Sequence, residues 1–198
     1  IDKMKQAAKI AQEAMLITLT RLKGGVTEKQ IANQLIIELL RAGSDPHLPF
    51  SPIVAIGENS ANPHAVPTER ALRTGDLLLV DWGAGFEGYL SDITRTFTFG
   101  EVDPELLEIG DIVLKANQAG RDAGRPGVDA GAVDRAARTV IANAGYGAAF
   151  THRTGHGLGM DAHEPPYIYD GNNQILAPGM TFTIEPGIYL PGKGGVRI

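Results

Sequence analysis

Gly75-Asp76-Leu77-Leu78-Leu79-Val80-Asp81-Trp82-Gly83 places a carboxylate at the end of an apolar run and closes it with glycine. The chain returns to that arrangement at Gly179-Met180-Thr181-Phe182-Thr183-Ile184-Glu185-Pro186-Gly187. Runs of this kind bounded by turn residues predict a strand in each place, over residues 77–80 and 180–185. Each ends on an acid, a residue type that strands disfavour. The likeness extends upstream, because Gly25-Val26-Thr27 precedes Arg41-Ala42-Gly43 by the same span that separates Gly127-Val128-Asp129 from Asn143-Ala144-Gly145. Matching positions lie 104 residues apart in the strand motif and 102 in the upstream one, so two similar α+β halves are expected, with Asp81 and Glu185 at equivalent places.

Working outward, each half reads helix, capped helix, loop, strand. Residues 2–22 are rich in Ala, Lys, Gln and Leu and predict a helix. Thr27 with Gln30 forms a capping box that opens a second helix, closed at Gly43. Ile53–Ile56 is a short strand, and residues 77–80 and 93–99 form a hairpin. Asp103 and Pro104 supply the N-cap and first position of a third helix. A fourth runs from about 129 to 144 and ends at Gly145, followed by a glycine- and histidine-rich stretch.

The 198 residues suit one domain with a substantial core. A net charge of −5 with no basic stripe argues against nucleic acid and anionic membranes as partners. No apolar run reaches membrane-spanning length and no signal peptide is visible, so a cytoplasmic protein is expected. Cysteine is absent, which leaves Asp, Glu and His as the available metal ligands. The chain opens at Ile1 in helical sequence and stops at Gly194-Gly195-Val196-Arg197-Ile198, in what reads as an interrupted strand. Both ends are expected to continue in a longer protein.

With Phe86-Glu87 as the hairpin tip, Asp81 is expected directly opposite Asp92, their Cβ atoms about 5 Å apart on one face. Two buried carboxylates so placed repel unless a cation or a shared proton intervenes. Taken singly, Asp81 reads as a turn cap and Asp92 as a solvated charge; as a matched pair they point to a metal. His152, His156 and His163 lie among glycines in one short stretch, and His64 sits in the proline-rich loop Asn62-Pro63-His64-Ala65-Val66-Pro67. A lone histidine is more often structural, but four of the five histidines fall in such loops. Two Asp, one Glu and one imidazole would form an oxygen-rich site that suits Mn²⁺, Co²⁺ or Zn²⁺ better than a structural zinc centre.

The stretch from Leu79-Val80-Asp81-Trp82-Gly83-Ala84 to Tyr89-Leu90-Ser91-Asp92-Ile93-Thr94-Arg95-Thr96 resembles the first signature of the Xaa-Pro peptidases, prolidase and aminopeptidase P. The run from Gly155 to His163 and Thr183-Ile184-Glu185-Pro186-Gly187 resemble the next two, in the family's order and spacing. This resemblance implies metallopeptidase family M24 and its pita-bread fold: two pseudo-symmetric halves around a curved, mainly antiparallel sheet, with helices outside. By position, Asp81, Asp92, His156 and Glu185 match metal ligands for two divalent ions, Mn or Co before Zn. His163 matches the histidine that stabilises the tetrahedral intermediate, and His64 the loop histidine that contacts the scissile peptide. His152 matches a substrate-side position, and Arg197 an arginine near the final ligand.

One departure concerns that final ligand, a bridging glutamate that the family places directly after Val-Arg-Ile, where this chain ends. Residues 1–198 are thus expected to be a catalytic domain lacking its closing segment and an N-terminal domain. The implied reaction is hydrolysis of the N-terminal Xaa-Pro bond of dipeptides or short proline-containing peptides, in a homodimer. Methionine aminopeptidase shares fold and ligands, but Tyr89-Leu90-Ser91-Asp92-Ile93-Thr94-Arg95 favours the Xaa-Pro branch. A non-catalytic pita-bread binding module is the third reading.

Overall fold

Side-chain caps open three of the four α-helices of the computed structural model, which describes residues 1–198. Asp2–Leu19 forms α1 and Glu28–Arg41 forms α2, the latter opened by the full Thr27/Gln30 capping box. Pro104–Ala123 forms α3 with the Asp103 carboxylate accepting from Glu105 N–H, and Ala130–Asn143 forms α4 behind Asp129. The first helix ends three residues short of the expected Leu22, and the other boundaries agree within a residue or two.

The strands Ile53–Ile56 (β1), Asp76–Trp82 (β2) and Ile93–Phe99 (β5) form an antiparallel sheet in the order β1-β2-β5. A two-residue ladder, Gly85–Phe86 (β3) with Tyr89–Leu90 (β4), continues the hairpin between β2 and β5. Register corrects one expectation. The tip is Glu87-Gly88, with φ of 49° and 79°, so Asp81 pairs with Thr94 and not with Asp92. A two-residue turn with both central residues at positive φ matches the twist of the flanking strands, and Gly88 is the residue that suits it. Because the slip is two residues, each side chain keeps its face, and Asp81 and Asp92 become diagonal neighbours.

Alternation along β2 then decides what lies where. Leu78, Val80 and Trp82 point into a core with Ile10, Ala14, Ile31, Leu35 and Leu39 of α1 and α2. Trp82 Nε1–H donates to Ala11 O at 2.8 Å, fastening α1 to the sheet. Leu77 points the other way, into a second core with Ile109, Val113, Ala137 and Ile141 of α3 and α4. A strand buried on both faces explains the unbroken apolar run. Asp81 shares Leu77's face, so its carboxylate is directed at the opposite half of the molecule.

That half contains Gly155–Gly157 (β6) paired with Glu164–Ile168 (β7), and Gly187–Leu190 (β8) paired with Gly194–Arg197 (β9), all antiparallel. The expected strand over 180–185 does not form a full ladder. It runs beside β6, with Thr183 N–H donating to His156 O at 2.8 Å and Glu185 N–H to Thr154 O at 2.8 Å. The reciprocal bond is lost because His156 N–H donates to Thr183 Oγ1 at 3.0 Å. The internal repeat is nonetheless visible in the backbone. Gly25 N–H donates to Leu72 O and Gly127 N–H to Leu176 O, each at 2.8 Å, and the bridges Thr27↔Ala71 and Asp129↔Ile175 correspond.

Candidate metal centre

Between the halves lies a cleft of about 570 Å³ lined by Asp81, Asp92, His156, Glu185, His64, His152, His163 and Arg197. All eight residues singled out from the sequence therefore converge. Ligand atoms of Asp92, His156 and Glu185 lie within 4.8 Å of one another. His156 Nε2 is 3.2 Å from Glu185 Oε1 and 3.4 Å from Asp92 Oδ2. Its Nδ1 lies 3.0 Å from Gly157 O, an acceptor only, so Nδ1 carries the proton and Nε2 faces the carboxylates. Asp81 stands apart from this triad, held by Arg197 Nη2 at 2.6 Å.

Of the two guanidiniums that line the cleft, only Arg197 contacts any of the three carboxylates (Asp81, Asp92, Glu185), leaving a net of two negative charges among these groups when His156 is neutral. Asp81 Oδ1 is buried with no hydrogen-bond partner. An unmatched buried acceptor costs about 1–3 kcal/mol, more when charged, so a cation or a proton is required there. The same strain appears in the ionisation behaviour. Burial is the main cause that pushes Asp81 up to about 7, with Arg197 opposing it and Asp92 and Glu185 adding to the rise. Burial disfavours the His156 imidazolium, yet the hydrogen bonds to Asp92 and Glu185 outweigh it and push the ring up to about 10. In effect a proton on Nε2 balances charge that a divalent ion would balance, and the residues fit such an ion.

Arg197 is the hub of this arrangement and only 3% exposed. Besides Asp81 it donates to Thr94 Oγ1 at 3.2 Å, Pro63 O at 3.1 Å and Tyr189 Oη at 3.1 Å. Tyr189 in turn lies 2.7 Å from His152 Nε2, while His152 Nδ1 sits 2.7 Å from Arg153 O. The Arg153 carbonyl can only accept, so His152 Nε2 accepts the Tyr189 hydroxyl proton, and burial holds the ring below its ordinary pKa. The His163 ring lies against that of His156, with centroids 4.1 Å apart. Burial first, then the charges of His156 and Arg153, lowers the His163 pKa. Sequence reading missed Tyr189 and Thr94. Each has an apolar or β-forming setting that reads as ordinary strand, and only the register of β8 and β5 aims it at Arg197.

Two antiparallel, helix-clad halves with a carboxylate–histidine cleft between them define the pita-bread metallopeptidase class. The chain belongs to metallopeptidase family M24, which it matches over residues 2–198. It is 42% identical over 196 residues to the Xaa-Pro dipeptidase of Lactobacillus delbrueckii subsp. lactis, covering 99% of this chain and 53% of that protein. Among solved structures, the Xaa-Pro dipeptidase from Bacillus anthracis superposes with a TM-score of 0.97 at 42% identity, covering 100% of this chain and 55% of that one. The X-Pro aminopeptidase from Thermotoga maritima MSB8 gives a TM-score of 0.96 at 40% identity, covering 100% and 56%. The chain thus spans about half the length of these relatives.

Proposed function

We propose that residues 1–198 are the catalytic domain of a longer dinuclear-metal exopeptidase that hydrolyses the N-terminal Xaa-Pro bond of dipeptides or short peptides. The observation that carries this reading is the meeting of Asp81, Asp92, His156 and Glu185 in one cleft that also holds His64, His152 and His163. Those four side chains would hold the two divalent ions, manganese or cobalt before zinc. Bound there, the ions supply a water of lowered pKa, a Lewis acid for the scissile carbonyl and an anchor for the free α-amino group.

The protein's own groups do the rest. Arg197 neutralises Asp81 and fixes its carboxylate, leaving Oδ1 as the free acceptor. The Gly157 carbonyl holds His156 in the tautomer that presents Nε2. His163, exposed and beside His156, would donate to the oxyanion that develops on the carbonyl. Phe50 and Ile53 line the cleft, and with His152 they would seat the proline ring. The leaving nitrogen of proline has no N–H in the amide and must gain a proton; His64 would donate it, or the Glu185 carboxylate would pass on the proton released by the attacking water. A cytoplasmic homodimer acting on short peptides is part of the same proposal. No helix is long and apolar enough to cross a membrane.

The test uses a protein of its relatives' length, loaded with Mn²⁺ or Co²⁺ and counted by elemental analysis. It is offered an Xaa-Pro dipeptide, an Xaa-Pro-Xaa tripeptide and Met-Ala-Ser. Near two ions per chain and turnover of the proline substrates are expected. Hydrolysis of Met-Ala-Ser alone would overturn the specificity, and no metal with no turnover would leave a binding module.

A further inference from the structure

One buried side chain outside the cleft grips both ends of the segment that carries His64. Glu28, the first residue of α2, is 0% exposed. Its Oε1 accepts from Ile56 N–H at 2.7 Å and from Asn59 Nδ2 at 2.9 Å. Its Oε2 accepts from Thr68 N–H at 2.8 Å and Thr68 Oγ1 at 2.6 Å. Residues 56 and 59 precede His64 and residue 68 follows it, so a single carboxylate closes the loop. All four partners are neutral. Burying a carboxylate without a cation costs several kcal/mol and is tolerable when its lone pairs all meet donors.

The backbone adds to this grip. Glu28 N–H donates to Arg70 O at 3.0 Å and Lys29 N–H to Thr68 O at 3.1 Å, docking the same segment on the open first turn of α2. From the far side, Gly195 N–H donates to Ser60 Oγ at 2.8 Å and Arg197 Nη1 to Pro63 O at 3.1 Å. His64 itself is exposed, and its one hydrogen bond is from its backbone N–H to Asn62 Oδ1 at 3.0 Å. The imidazole makes no hydrogen bond within the chain, so the path of the backbone sets where the ring can stand.

We infer that Glu28 is a positioning residue for His64, acting through the loop from Ile56 to Thr68 and touching nothing in the cleft. The inference rests on the peptidase reading for its consequence in turnover. A glutamine in its place would turn an amide NH₂ toward two of the four donors and release one end of the loop. The metal-binding residues are not among its contacts, so metal content should stay as in the parent.

The experiment compares Glu28→Gln, His64→Ala and the double variant in a protein of its relatives' length. Glu28→Gln is expected to lower kcat/KM for an Xaa-Pro dipeptide about 10- to 100-fold with metal content unchanged. Amide exchange over 57–68 should speed up. In the His64→Ala background the Glu28 effect should shrink to within about twofold, because the two act as one unit. Glu28→Asp, which keeps the acceptor-only group on a shorter stem, should recover part of the loss and serves as the second variant should glutamine prevent folding. The ordering of the His64 ring by NMR relaxation is the readout independent of turnover, and it should fall in Glu28→Gln. Equal losses with and without His64, or an unchanged His64 ring in Glu28→Gln, would overturn the inference. Absence of turnover in the parent would instead overturn the peptidase reading and leave the ring measurement to decide the role of Glu28.

Discussion

Replacing Asp134 by asparagine tests whether the second half holds its histidine strand as the first half holds its loop. Asp134 is 0% exposed on α4, where its Oδ1 accepts from Thr154 N–H at 3.0 Å and Thr154 Oγ1 at 2.7 Å. Its Oδ2 accepts from Arg138 Nε at 2.8 Å, and Arg138 passes the hold on to Phe150 O and His152 O. Removing one partner of a buried pair costs about 3–5 kcal/mol. The Arg138 side chain is 33% exposed, however, and water screens part of the loss. A cost of about 2–3 kcal/mol at neutral pH follows, equivalent to a Tm lowered by about 4–12 °C. The pH dependence gives the stricter check. Burial opposes the ionised Asp134, but Arg138 and Thr154 outweigh it and hold the folded pKa below the ordinary carboxylate value. The stabilisation is therefore complete above the unfolded pKa of about 3.9 and is lost as pH falls through the lower folded value. Urea unfolding of parent and variant from pH 7 to about 3 should show a constant gap that closes only below about pH 4. A gap under about 0.5 kcal/mol at pH 7, or one that widens in acid, would refute the reasoning.

Three further outcomes are expected. Gly155→Ala would place a Cβ 1.9 Å from Thr183 O, forcing β6 away from the segment that carries Glu185. It should cost about 3 kcal/mol or more by thermal unfolding and reduce bound metal, whereas unchanged stability would contradict that packing. Tyr189→Phe removes the hydroxyl between Arg197 and His152 while leaving the Arg197–Asp81 pair intact. It should raise KM for proline substrates roughly tenfold with metal content unchanged, and lost metal would show a different role. Arg153 lines the cleft with its guanidinium over the Tyr167 ring, 4.8 Å from the centroid. Arg153→Met should weaken a free-acid Xaa-Pro dipeptide about tenfold and its amide little, so equal losses would rule out carboxylate recognition.

Much of the architecture was legible because local rules govern it. Thr27, Asp103 and Asp129 cap helices through bonds to residues two or three positions away, and such bonds are written in the sequence. Parity along β2 was legible too, which is why Asp81 and Asp92 face the cleft although their direct pairing does not occur. The two-residue slip arose from Glu87, a non-glycine residue at φ 49° that composition does not announce. The strand expected at 180–185 lost its full ladder to a side chain, Thr183 Oγ1.

The sequence alone determined the repeat, the helices, the acids that end the two apolar runs, and the family. These follow from short-range periodicity and from residue types that are costly unless paired. Only the tertiary structure decided that Arg197 clamps Asp81 across 116 positions, that Tyr189 joins it to His152, and that Glu28 and Asp134 brace the histidine segments from behind. Hydrogen bonds between distant residues depend on strand register and on how the halves meet, and neither quantity has a local signature in the chain.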